Sequence, residues 1–511
     1  MIVVYDIAII GGGINGVGIA LEAVSRGLSV LLCEQSDLAN GTSSRSSKLA
    51  HGGLRYLEHS ALGLVKESLS ERDKLISNAP HLVQPIPFTI PIDKNCRSEF
   101  ILKIGLLCYD LLNFRGKTKR SHAIKFDPND PTNPIKRSIK KGLEYYDCTM
   151  DDARLVVSIA QQAKNMGAHI LTRTTLVNSH YKDNGQWDLN LQSEGATKLI
   201  HHQAKVLVNA TGPWIENTLT HCIPIKSQYR LRQVKGSHIL VPKLYAEQRA
   251  YLLQHLDNRV IFTIPYCEQF TLIGTTDFPH VGDAAEVDIT QVEIDYLMRA
   301  INHYFHHPIK PQDIVATWSG VRALWDDDAV NLASISRESK VEVIHSKAHP
   351  PIINIFGGKL TTYRALSEKV IDELKQDLPH IKASVSKNLK LPGAFSETSF
   401  IDFMAKLAAE YTWLPASILR RMAKSYGVII HDILSGCQKI EDLGIDFGHG
   451  LLEKEVCYLM EKEWACNAED ILWRRSKLGL FFQEQQIVTL EDYMQKKLSA
   501  ALVFDQSIAE H

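Results

Sequence analysis

Residues 5–20 read Tyr-Asp-Ile-Ala-Ile-Ile-Gly-Gly-Gly-Ile-Asn-Gly-Val-Gly-Ile-Ala, and this stretch decides the fold. The apolar run at 7–10 predicts a buried parallel strand, and the pattern after the glycines predicts a helix that continues to Gly27. Three glycines between them follow the frame G-x-G-x-x-G, at Gly11, Gly13 and Gly16. In this frame the first glycine allows a tight turn, the second lets a pyrophosphate approach, and the third lets the helix pack on the strand.

A second apolar run at 30–33 ends in an acid, Glu34, which lies 18 residues beyond Gly16. A carboxylate at about this spacing accepts hydrogen bonds from a ribose diol, while the free N–H groups at the helix start face the phosphates. A glycine-rich turn with a purely structural role is the alternative, and the two strands and the acid in register argue against it. We therefore predict a site for an adenine dinucleotide.

The composition is that of a folded protein without a strong charge bias. Its 511 residues exceed a single ordinary core and suggest two or three domains. The net charge of −1 argues against a general polyanion binder, so no nucleic-acid partner is expected. Nine cysteines occur without paired or zinc-ligand spacing, which favours reduced thiols in a cytosolic protein and no metal site.

The sequence shows no targeting or membrane-spanning segment. The first apolar stretch contains Asp6 and runs directly into the glycine turn, unlike a signal peptide. No run of about 18 uncharged apolar residues is present, so no spanning helix is predicted.

Peripheral attachment to a membrane is suggested by the region 97–141. Residues 100–114 form a strongly apolar helix candidate, and residues 115–141 contain nine Lys or Arg against two Asp. An apolar helix followed by a basic stretch suits an anionic membrane surface. A buried helix followed by a solvated loop explains the same pattern equally well.

A serine-rich segment at 41–56 follows Glu34 and predicts a loop that contacts anions. It contains Lys48, His51 and Arg55, which are suitable phosphate donors close to a dinucleotide fold. A solvated serine-rich linker is the alternative.

The strand-and-glycine pattern returns twice later in the chain. A helix capped by Asp151 precedes a strand at 205–209 that ends in Ala-Thr-Gly at 210–212. A strand at 352–356 then ends in Gly-Gly-Lys at 357–359 and leads into another helix. Because a long cofactor needs contacts at several strand ends, this arrangement favours a flavoprotein with FAD over a nicotinamide dehydrogenase.

The intervening and terminal regions complete the predicted architecture. Residues 224–344 alternate short strands and loops, which predicts a mixed sheet, and residues 382–397 resemble a linker. Beyond the linker the chain is rich in helices, with a local basic spot at 473–475, and predicts a packing or dimer domain. We predict an α/β fold: a Rossmann-like FAD-binding domain with an inserted mixed β-sheet substrate domain, plus a C-terminal α-helical domain.

Six motifs in this order also carry a family resemblance. They lie at 11–16, 46–58, 209–214, 273–277, 318–322 and 356–364. Together they resemble the aerobic, FAD-dependent glycerol-3-phosphate dehydrogenase family, collinearly from residue 5 to about residue 500. With this resemblance we predict an oxidoreductase region at 1–384 and a helical domain at 385–511. Within the first region, the predicted FAD-binding parts are about 1–70, 150–215 and 345–380, and the predicted substrate or cap parts are about 71–149 and 216–344.

The resemblance implies oxidation of sn-glycerol 3-phosphate to dihydroxyacetone phosphate. A hydride would pass to FAD, and the electrons would continue to a membrane quinone. It also implies a cytoplasmic protein attached peripherally to the inner face of the cytoplasmic membrane, and a homodimer is compatible with the C-terminal helices. The predicted cofactor-binding residues are Gly11, Gly13, Ile14, Asn15, Gly16, Glu34, Thr42, Ser43, Ser47, Lys48, Leu49, His51, Gly53, Ala210, Thr211, Gly212, Gly358, Lys359, Leu360 and Thr361.

The resemblance also implies the substrate site. A dianionic substrate needs fixed cations, and Arg55, Arg322 and Arg337 are the candidates to grip its phosphate or a hydroxyl oxygen. The predicted neighbours of the substrate are Tyr56, Thr275 and Thr276, and the predicted catalytic residues are His51, Arg322 and Lys359.

His51 is the first choice of base for the C2 hydroxyl proton, since its ordinary pKa is near 6.5. An arginine-assisted transfer to water is the rival. Arg45 departs from the family's serine-rich loop, where a small residue is usual.

Three other functions fit parts of the sequence. A glycerophosphate oxidase would pass the electrons to oxygen and release peroxide, and an FAD amine oxidase would use the same architecture. A nucleotide-sensing module without activity would need no flavin chemistry at all.

Overall fold

The computed structural model describes residues 3–59, 61–94, 97–114, 116–182, 184–255, 257, 259–326 and 338–509. The helices are α1 (Ile14–Ser25), α2 (Leu62–Asn78), α3 (Glu99–Leu112), α4 (Asp152–Asn165), α5 (Ile215–His221), α6 (Gln291–Tyr304), α7 (Tyr363–Glu373), α8 (Phe400–Glu410), α9 (Ala416–Tyr426), α10 (Ile430–Ile433), α11 (Glu453–Glu463) and α12 (Glu484–Ala509). The strands are β1 (Val4–Ile10), β2 (Val30–Cys33), β3 (Leu49–Ala50), β4 (Val83–Pro91), β5 (His122–Lys125), β6 (Lys141–Met150), β7 (His169–Leu171), β8 (Thr174–Lys182), β9 (Gln186–Ser193), β10 (Ile200–Asn209), β11 (Leu231–Pro242), β12 (Ala250–Gln254), β13 (Val260–Tyr266), β14 (Phe270–Gly274), β15 (Phe278–Pro279), β16 (Ala316–Trp325), β17 (Lys340–Ile344) and β18 (Ile352–Phe356).

The first sheet is the dinucleotide-binding sheet that the glycine motif predicts. Its strand order is β17-β18-β10-β1-β2-β7, and β1 pairs in parallel with both β2 and β10. The centre of β1 is buried on both faces, which explains its continuous apolar run. Because β1, β10 and β18 are parallel neighbours, the three glycine-containing turns that follow them meet at one edge of the sheet.

Glycines allow α1 to lie close to this edge. A Cβ on Gly16 would come within 1.9 Å of the Gly11 carbonyl oxygen, and one on Gly18 would contact Tyr363 of α7. Gly11 itself has a φ of +109°, which glycine adopts without strain. The predicted strand-turn-helix unit is therefore confirmed, and Gly11 and Gly16 occupy positions that exclude a side chain.

The second sheet is mixed, as predicted for the inserted substrate region. Its strand order is β15-β11-β14-β13-β12-β4-β6-β3, with β16 added at β11 and β5 at β6. Most neighbours are antiparallel, whereas β12 and β4 are parallel. Helix α6 covers one face of this sheet, and it begins with the capping box formed by Thr290 and Glu293.

The C-terminal helices pack around their own apolar core. Its members include Phe403, Leu407, Met422, Leu459 and Leu490, at the spacing that predicts amphipathic helices.

The prediction of a local basic spot at 473–475 is wrong. Arg474 and Arg475 are buried, and they form ion pairs with Asp37 of the first domain.

Helix α3 is not the buried helix that one explanation of its sequence required. Only Leu106 and Tyr109 are buried, whereas Phe100 is 72% exposed and Leu111 is 63% exposed. In the part of the chain that the structure describes, no helix combines the length and apolarity needed to cross a bilayer.

Candidate active site

A single large cavity lies between the two sheets and joins all three glycine-containing turns. Its volume is about 1240 Å³, which exceeds the roughly 300–1,000 Å³ of ordinary small-molecule sites. Glu34 lines one end, Lys359 lies further along, and the wall continues to α3. The cavity is large enough for a dinucleotide together with a small substrate.

The end of the cavity beside β2 has the features of an adenosine site. The Glu34 carboxylate accepts hydrogen bonds from the backbone N–H of Gly12 at 2.6 Å and of Ser36 at 2.8 Å. Burial raises the pKa of Glu34, although these two N–H groups oppose that shift. The carboxylate is thus fixed in place at the cavity wall, as a ribose diol requires.

The start of α1 is tied to the last glycine turn. The Asn15 side-chain amide donates to the Gly357 carbonyl at 2.8 Å, and the Ser43 hydroxyl accepts from the Ile14 N–H at 3.0 Å. The Asn15 side-chain oxygen is buried and has no hydrogen-bond partner within the described residues, yet Asn15 lines the cavity. This orphaned polar atom fits a site that a polar cofactor fills.

The cavity brings together most of the predicted cofactor-binding residues. Those that line it are Gly11, Gly13, Ile14, Asn15, Glu34, Thr42, Ser43, Ser47, Leu49, His51, Gly53, Ala210, Thr211, Gly212, Gly358, Lys359, Leu360 and Thr361. Gly16 lies behind the turn, where its missing Cβ allows the Gly11 carbonyl to approach.

Lys48 does not reach the cavity. Its ammonium is buried against Asp152, with an Nζ to Oδ2 distance of 2.7 Å, and it also donates to the Ser44 carbonyl. Burial lowers the pKa of Lys48, and the Asp152 carboxylate opposes that shift. The side chain therefore joins the serine-rich loop to α4, which is a structural role.

His51 lies in a turn whose backbone is hydrogen-bonded to buried side chains. The Gly52 N–H contacts the Asp147 carboxylate at 3.1 Å and the Tyr109 hydroxyl at 3.0 Å. Asp147 also accepts from Arg72 at 2.8 Å, and Arg72 is fully buried. The His51 ring lies over Phe262, with 6.5 Å between ring centroids. The turn that carries the predicted base is thus fixed by a charged network.

Arg322 projects from β16 into the cavity and is oriented by the turn after β14. Its guanidinium donates to the Asp277 carboxylate at 2.6 Å and to the Thr275 hydroxyl at 3.0 Å. Thr275, Asp277 and Arg322 all line the cavity. The cavity wall therefore presents two adjacent groups: the Arg322 cation, which suits a phosphate oxygen, and the Asp277 carboxylate, which suits a hydroxyl group.

Thr276 does not face the cavity, so its predicted contact with the substrate is wrong. It is fully buried, and its hydroxyl donates to Glu293 of α6 at 2.8 Å. Alternate residues of a strand-like segment point to opposite sides, which separates Thr276 from Thr275.

Lys359 and Tyr56 meet across the cavity. The Lys359 ammonium lies 3.8 Å from the centroid of the Tyr56 ring, a cation–π contact. The side chain of Arg55 and all of Arg337 lie outside the described residues, so the structure does not test these two predicted cations.

Several cavity residues were not predicted from the sequence, among them two acids and a histidine. Asp277 and Asp147 line the cavity as acids, and His238 is buried there with its Nε2 atom 2.9 Å from the Ser47 hydroxyl. Burial, together with the nearby positive charge of Arg322, holds the pKa of His238 well below its usual range. Only Asp277 had a sequence signal, because it ends the Gly-Thr-Thr-Asp motif.

An apolar branch of the cavity runs from the His51 turn to α3. Its lining includes Leu57, Leu62, Ile90, Ile101, Leu102, Ile104, Cys108, Leu252 and Val260. Ile101 and Ile104 also belong to the exposed apolar face of α3, at 58% and 46% exposure. The interior of the site is therefore continuous with an apolar surface.

The geometry fits FAD-dependent redox chemistry on a small polar substrate. The glycine turns, Glu34 and Asn15 supply the contacts of a dinucleotide, and Arg322, Lys359 and His51 surround the far part of the cavity. Among the described residues, no three His, Cys, Asp or Glu side chains form a group that would hold a metal ion.

Comparison with known proteins agrees with this arrangement. Residues 6–364 match the family described as FAD dependent oxidoreductase, and residues 384–502 match the family described as C-terminal domain of alpha-glycerophosphate oxidase. The glycerol-3-phosphate dehydrogenase of Pseudomonas aeruginosa is 44% identical over 97% of this chain and 96% of its own length.

Two further relatives bear on substrate and fold. The D-erythritol 1-phosphate dehydrogenase of Brucella abortus is 39% identical over 94% of this chain and 96% of its own length. The glycerol-3-phosphate dehydrogenase from Bacillus halodurans, solved in complex with FAD, superimposes with a TM-score of 0.74 at 27% identity. That match covers 97% of this chain and 94% of the other.

Proposed function

This chain belongs to the FAD-dependent glycerol-3-phosphate dehydrogenase family, and from that membership we propose that it oxidises sn-glycerol 3-phosphate to dihydroxyacetone phosphate. The observation that carries the proposal is the single cavity in which the dinucleotide turns, a hydroxyl-binding acid and two cations meet.

The reaction divides between the cofactor and the protein. FAD, when bound, supplies the acceptor for the hydride that leaves C2 of the substrate. Glu34, Asn15 and the turn at 11–16 would hold it, and Ser47, Leu49 and the turn at 357–359 would surround its redox-active end.

The chain's own residues would bind and orient the substrate and accept the proton of its C2 hydroxyl group. We assign the phosphate to the cations Arg322 and Lys359, with Arg55 and Arg337 as the further cations proposed from the sequence. Asp277, which accepts a hydrogen bond from Arg322, would also accept one from a substrate hydroxyl. His51 takes the C2 hydroxyl proton as the C2–H bond breaks, and the carbonyl of the product forms.

A product assay tests this function against its rivals. Purified holoenzyme receives sn-glycerol 3-phosphate, D-erythritol 1-phosphate or an amino acid, together with a soluble quinone analogue, and both product and peroxide are measured. We expect dihydroxyacetone phosphate with little peroxide, and a lower kcat/KM for the four-carbon substrate. Peroxide equal to product without a quinone would instead show an oxidase, and turnover of the amino acid alone would show an amine oxidase.

We also propose that the protein docks on the inner face of the cytoplasmic membrane and passes its electrons to a quinone. Five large apolar side chains of α3 are exposed, namely Phe100, Ile101, Ile104, Leu107 and Leu111. The basic run that follows them suits anionic headgroups. The apolar branch of the cavity opens beside the same helix, which gives a quinone an entrance from the lipid. A homodimer stays a prediction, which sedimentation in detergent would test.

A further inference from the structure

We propose that the C-terminal helical domain positions one wall of the FAD site: a buried ion cluster centred on Asp37 holds the loop that carries Glu34. The proposal uses FAD as the cofactor of this family and is independent of the substrate proposed above. Asp37, Arg474 and Arg475 do not line the cavity, so they are positioning residues and not ligands of the cofactor.

The loop between β2 and Asn40 forms one wall of the adenosine end of the cavity. Glu34, Gln35, Ser36 and Asn40 line the cavity. The loop is bonded on one side to the glycine turn, since Gly12 donates to the Glu34 carboxylate and Ala39 donates to the Gly12 carbonyl at 3.2 Å. A shift of this loop would therefore move both the ribose-binding carboxylate and the turn that faces the phosphates.

The other side of the loop is held by the C-terminal domain through Asp37. Its Oδ1 atom accepts from Arg475 at 2.8 Å, and its Oδ2 atom accepts from both Arg475 and Arg474 at 2.5 Å. The Asp37 side chain is 1% exposed and that of Arg475 is 0% exposed. Both oxygens of one buried carboxylate are thus bound by residues more than 400 positions away in the chain.

A second acid extends the cluster around the loop. Asp470 accepts from Arg474 at 2.5 Å and from Arg173 at 2.7 Å, and its side chain is fully buried. The Arg173 backbone N–H donates to the Ser36 carbonyl at 2.9 Å. The loop is therefore held at two neighbouring residues. Asp37 is bound directly by Arg474 and Arg475, and Ser36 is bound by Arg173, which pairs with Asp470.

The local helix geometry allows Arg474 and Arg475 to pair with the same carboxylate. Asp470–Arg475 is a π-helical turn, a form that is rare and occurs frequently at functional sites. It lets two consecutive arginines, Arg474 and Arg475, reach the same carboxylate. Buried ion pairs are weak evidence for stability, since desolvation offsets much of their attraction, and their best-attested use is to fix one arrangement of parts.

The competing explanation is that the cluster only joins two domains. It predicts that removing Asp37 lowers stability without a specific effect on FAD. The chain provides a matched control in Glu455, a buried acid of the C-terminal domain. Its two carboxylate oxygens accept hydrogen bonds from Arg421 at 2.6 and 2.7 Å. Neither Glu455 nor Arg421 lines the cavity.

The test compares Asp37→Asn with Glu455→Gln in the full-length chain. The flavin is removed, and the dissociation constant for FAD is measured by the change of flavin fluorescence, with the thermal unfolding midpoint recorded alongside. We expect Asp37→Asn to weaken FAD at least tenfold and Glu455→Gln to stay within twofold of the parent. Because no substrate is present, a failure of the proposed dehydrogenase activity leaves this result unaffected.

A milder pair covers the case in which Asp37→Asn does not fold. Arg475→Lys keeps the charge and loses the planar fork, and Arg421→Lys does the same at the control site. We expect at least a threefold weaker FAD affinity for Arg475→Lys alone. FAD affinity within twofold of the parent for the folded cluster variant, or an equal loss in its control, would overturn the proposal.

Discussion

Arg322 is the cation whose surroundings say most about the reaction. Its guanidinium is already paired with Asp277 at 2.6 Å, so it does not swing freely toward any anion. The pair presents donors and an acceptor side by side, which matches a substrate that carries both phosphate and hydroxyl groups. This makes Arg322 an orienting group as well as a charge.

We expect Arg322→Met to lower kcat/KM for sn-glycerol 3-phosphate by about 10²–10³, the usual cost of losing one such electrostatic contact. Arg322→Lys should recover little of this loss, because an ammonium cannot replace the fork. Steady-state kinetics with the FAD-saturated protein measure both. Arg420, an exposed arginine of α9, serves as the control, since Arg420→Met should keep the parent's kinetics. Parent-like kcat/KM in Arg322→Met would contradict the assignment.

His81 makes stability depend on pH. It is 3% exposed, and burial lowers its pKa to about 3, with a further contribution from Arg154. Since the unfolded chain binds a proton near pH 6.5 and the folded chain does not, this histidine's contribution is complete above pH 6.5. It is lost as the pH falls from 6.5 toward 3. The loss should be about 1.4 kcal/mol at pH 5.5.

Urea unfolding at pH 7.5 and pH 5.5 checks this expectation. The parent should lose more stability between the two values than His81→Gln, which has no proton to gain. His238 titrates in the same direction but is present in both proteins, so it cancels in the comparison. An equal pH dependence of the two proteins would show that His81 does not carry the effect.

At the scale of elements, α3 has two faces with different roles. Its inner side contributes Leu106 and Tyr109 to the protein, and its outer side exposes apolar residues. Phe100, Leu107 and Leu111 belong to the outer face and do not line the cavity.

The outer face predicts membrane binding that substitution can remove. We expect Phe100→Asp/Leu107→Asp/Leu111→Asp to reduce sedimentation with anionic lipid vesicles at least tenfold, because each change places a charge where lipid would lie. Activity with a soluble acceptor should stay. Ile401→Asp is the control, since Ile401 is 79% exposed on a different helix. Vesicle binding equal to the parent's would place the contact elsewhere.

The inner face of α3 reaches the active-site turn through Tyr109. Its hydroxyl contacts the Gly52 N–H at 3.0 Å and Asp147 at 2.7 Å. We expect Tyr109→Phe to lower kcat/KM about tenfold, which is about 1.4 kcal/mol and lies within the usual worth of a hydrogen bond.

The effect should come through the His51 turn, so the visible spectrum of bound flavin should not change. Tyr245→Phe is the matched control, since the Tyr245 hydroxyl donates to the Thr263 carbonyl at 3.1 Å in the same sheet. If Tyr245→Phe loses as much activity as Tyr109→Phe, the contact between Tyr109 and Gly52 does not account for the loss of activity.

For the whole molecule, the sequence predicted what local pattern determines. Spacing alone predicts the glycine frame at 11–16, the capped helix after Asp151 and the strand that ends just before Gly357. Neighbouring parallel strands then bring the three turns together without further information.

Long-range pairs could not be predicted in the same way. Nothing in the residues around 473–475 indicates a carboxylate at Asp37, so this basic segment resembled a surface spot. Lys48 was predicted at the cofactor for the same reason, because its partner Asp152 lies 104 positions away. The sequence gives the charge of a side chain directly, but it does not show whether that side chain is buried or which distant residue it pairs with.

The central claim is that one cavity holds FAD and sn-glycerol 3-phosphate together. The most direct measurement is an anaerobic titration of the holoenzyme with sn-glycerol 3-phosphate while the visible absorbance of the flavin is followed. We expect the flavin absorbance to bleach as substrate is added and dihydroxyacetone phosphate to accumulate in an amount equal to the flavin reduced. An absorbance that sn-glycerol 3-phosphate leaves unchanged, while an amino acid bleaches it, would contradict the account.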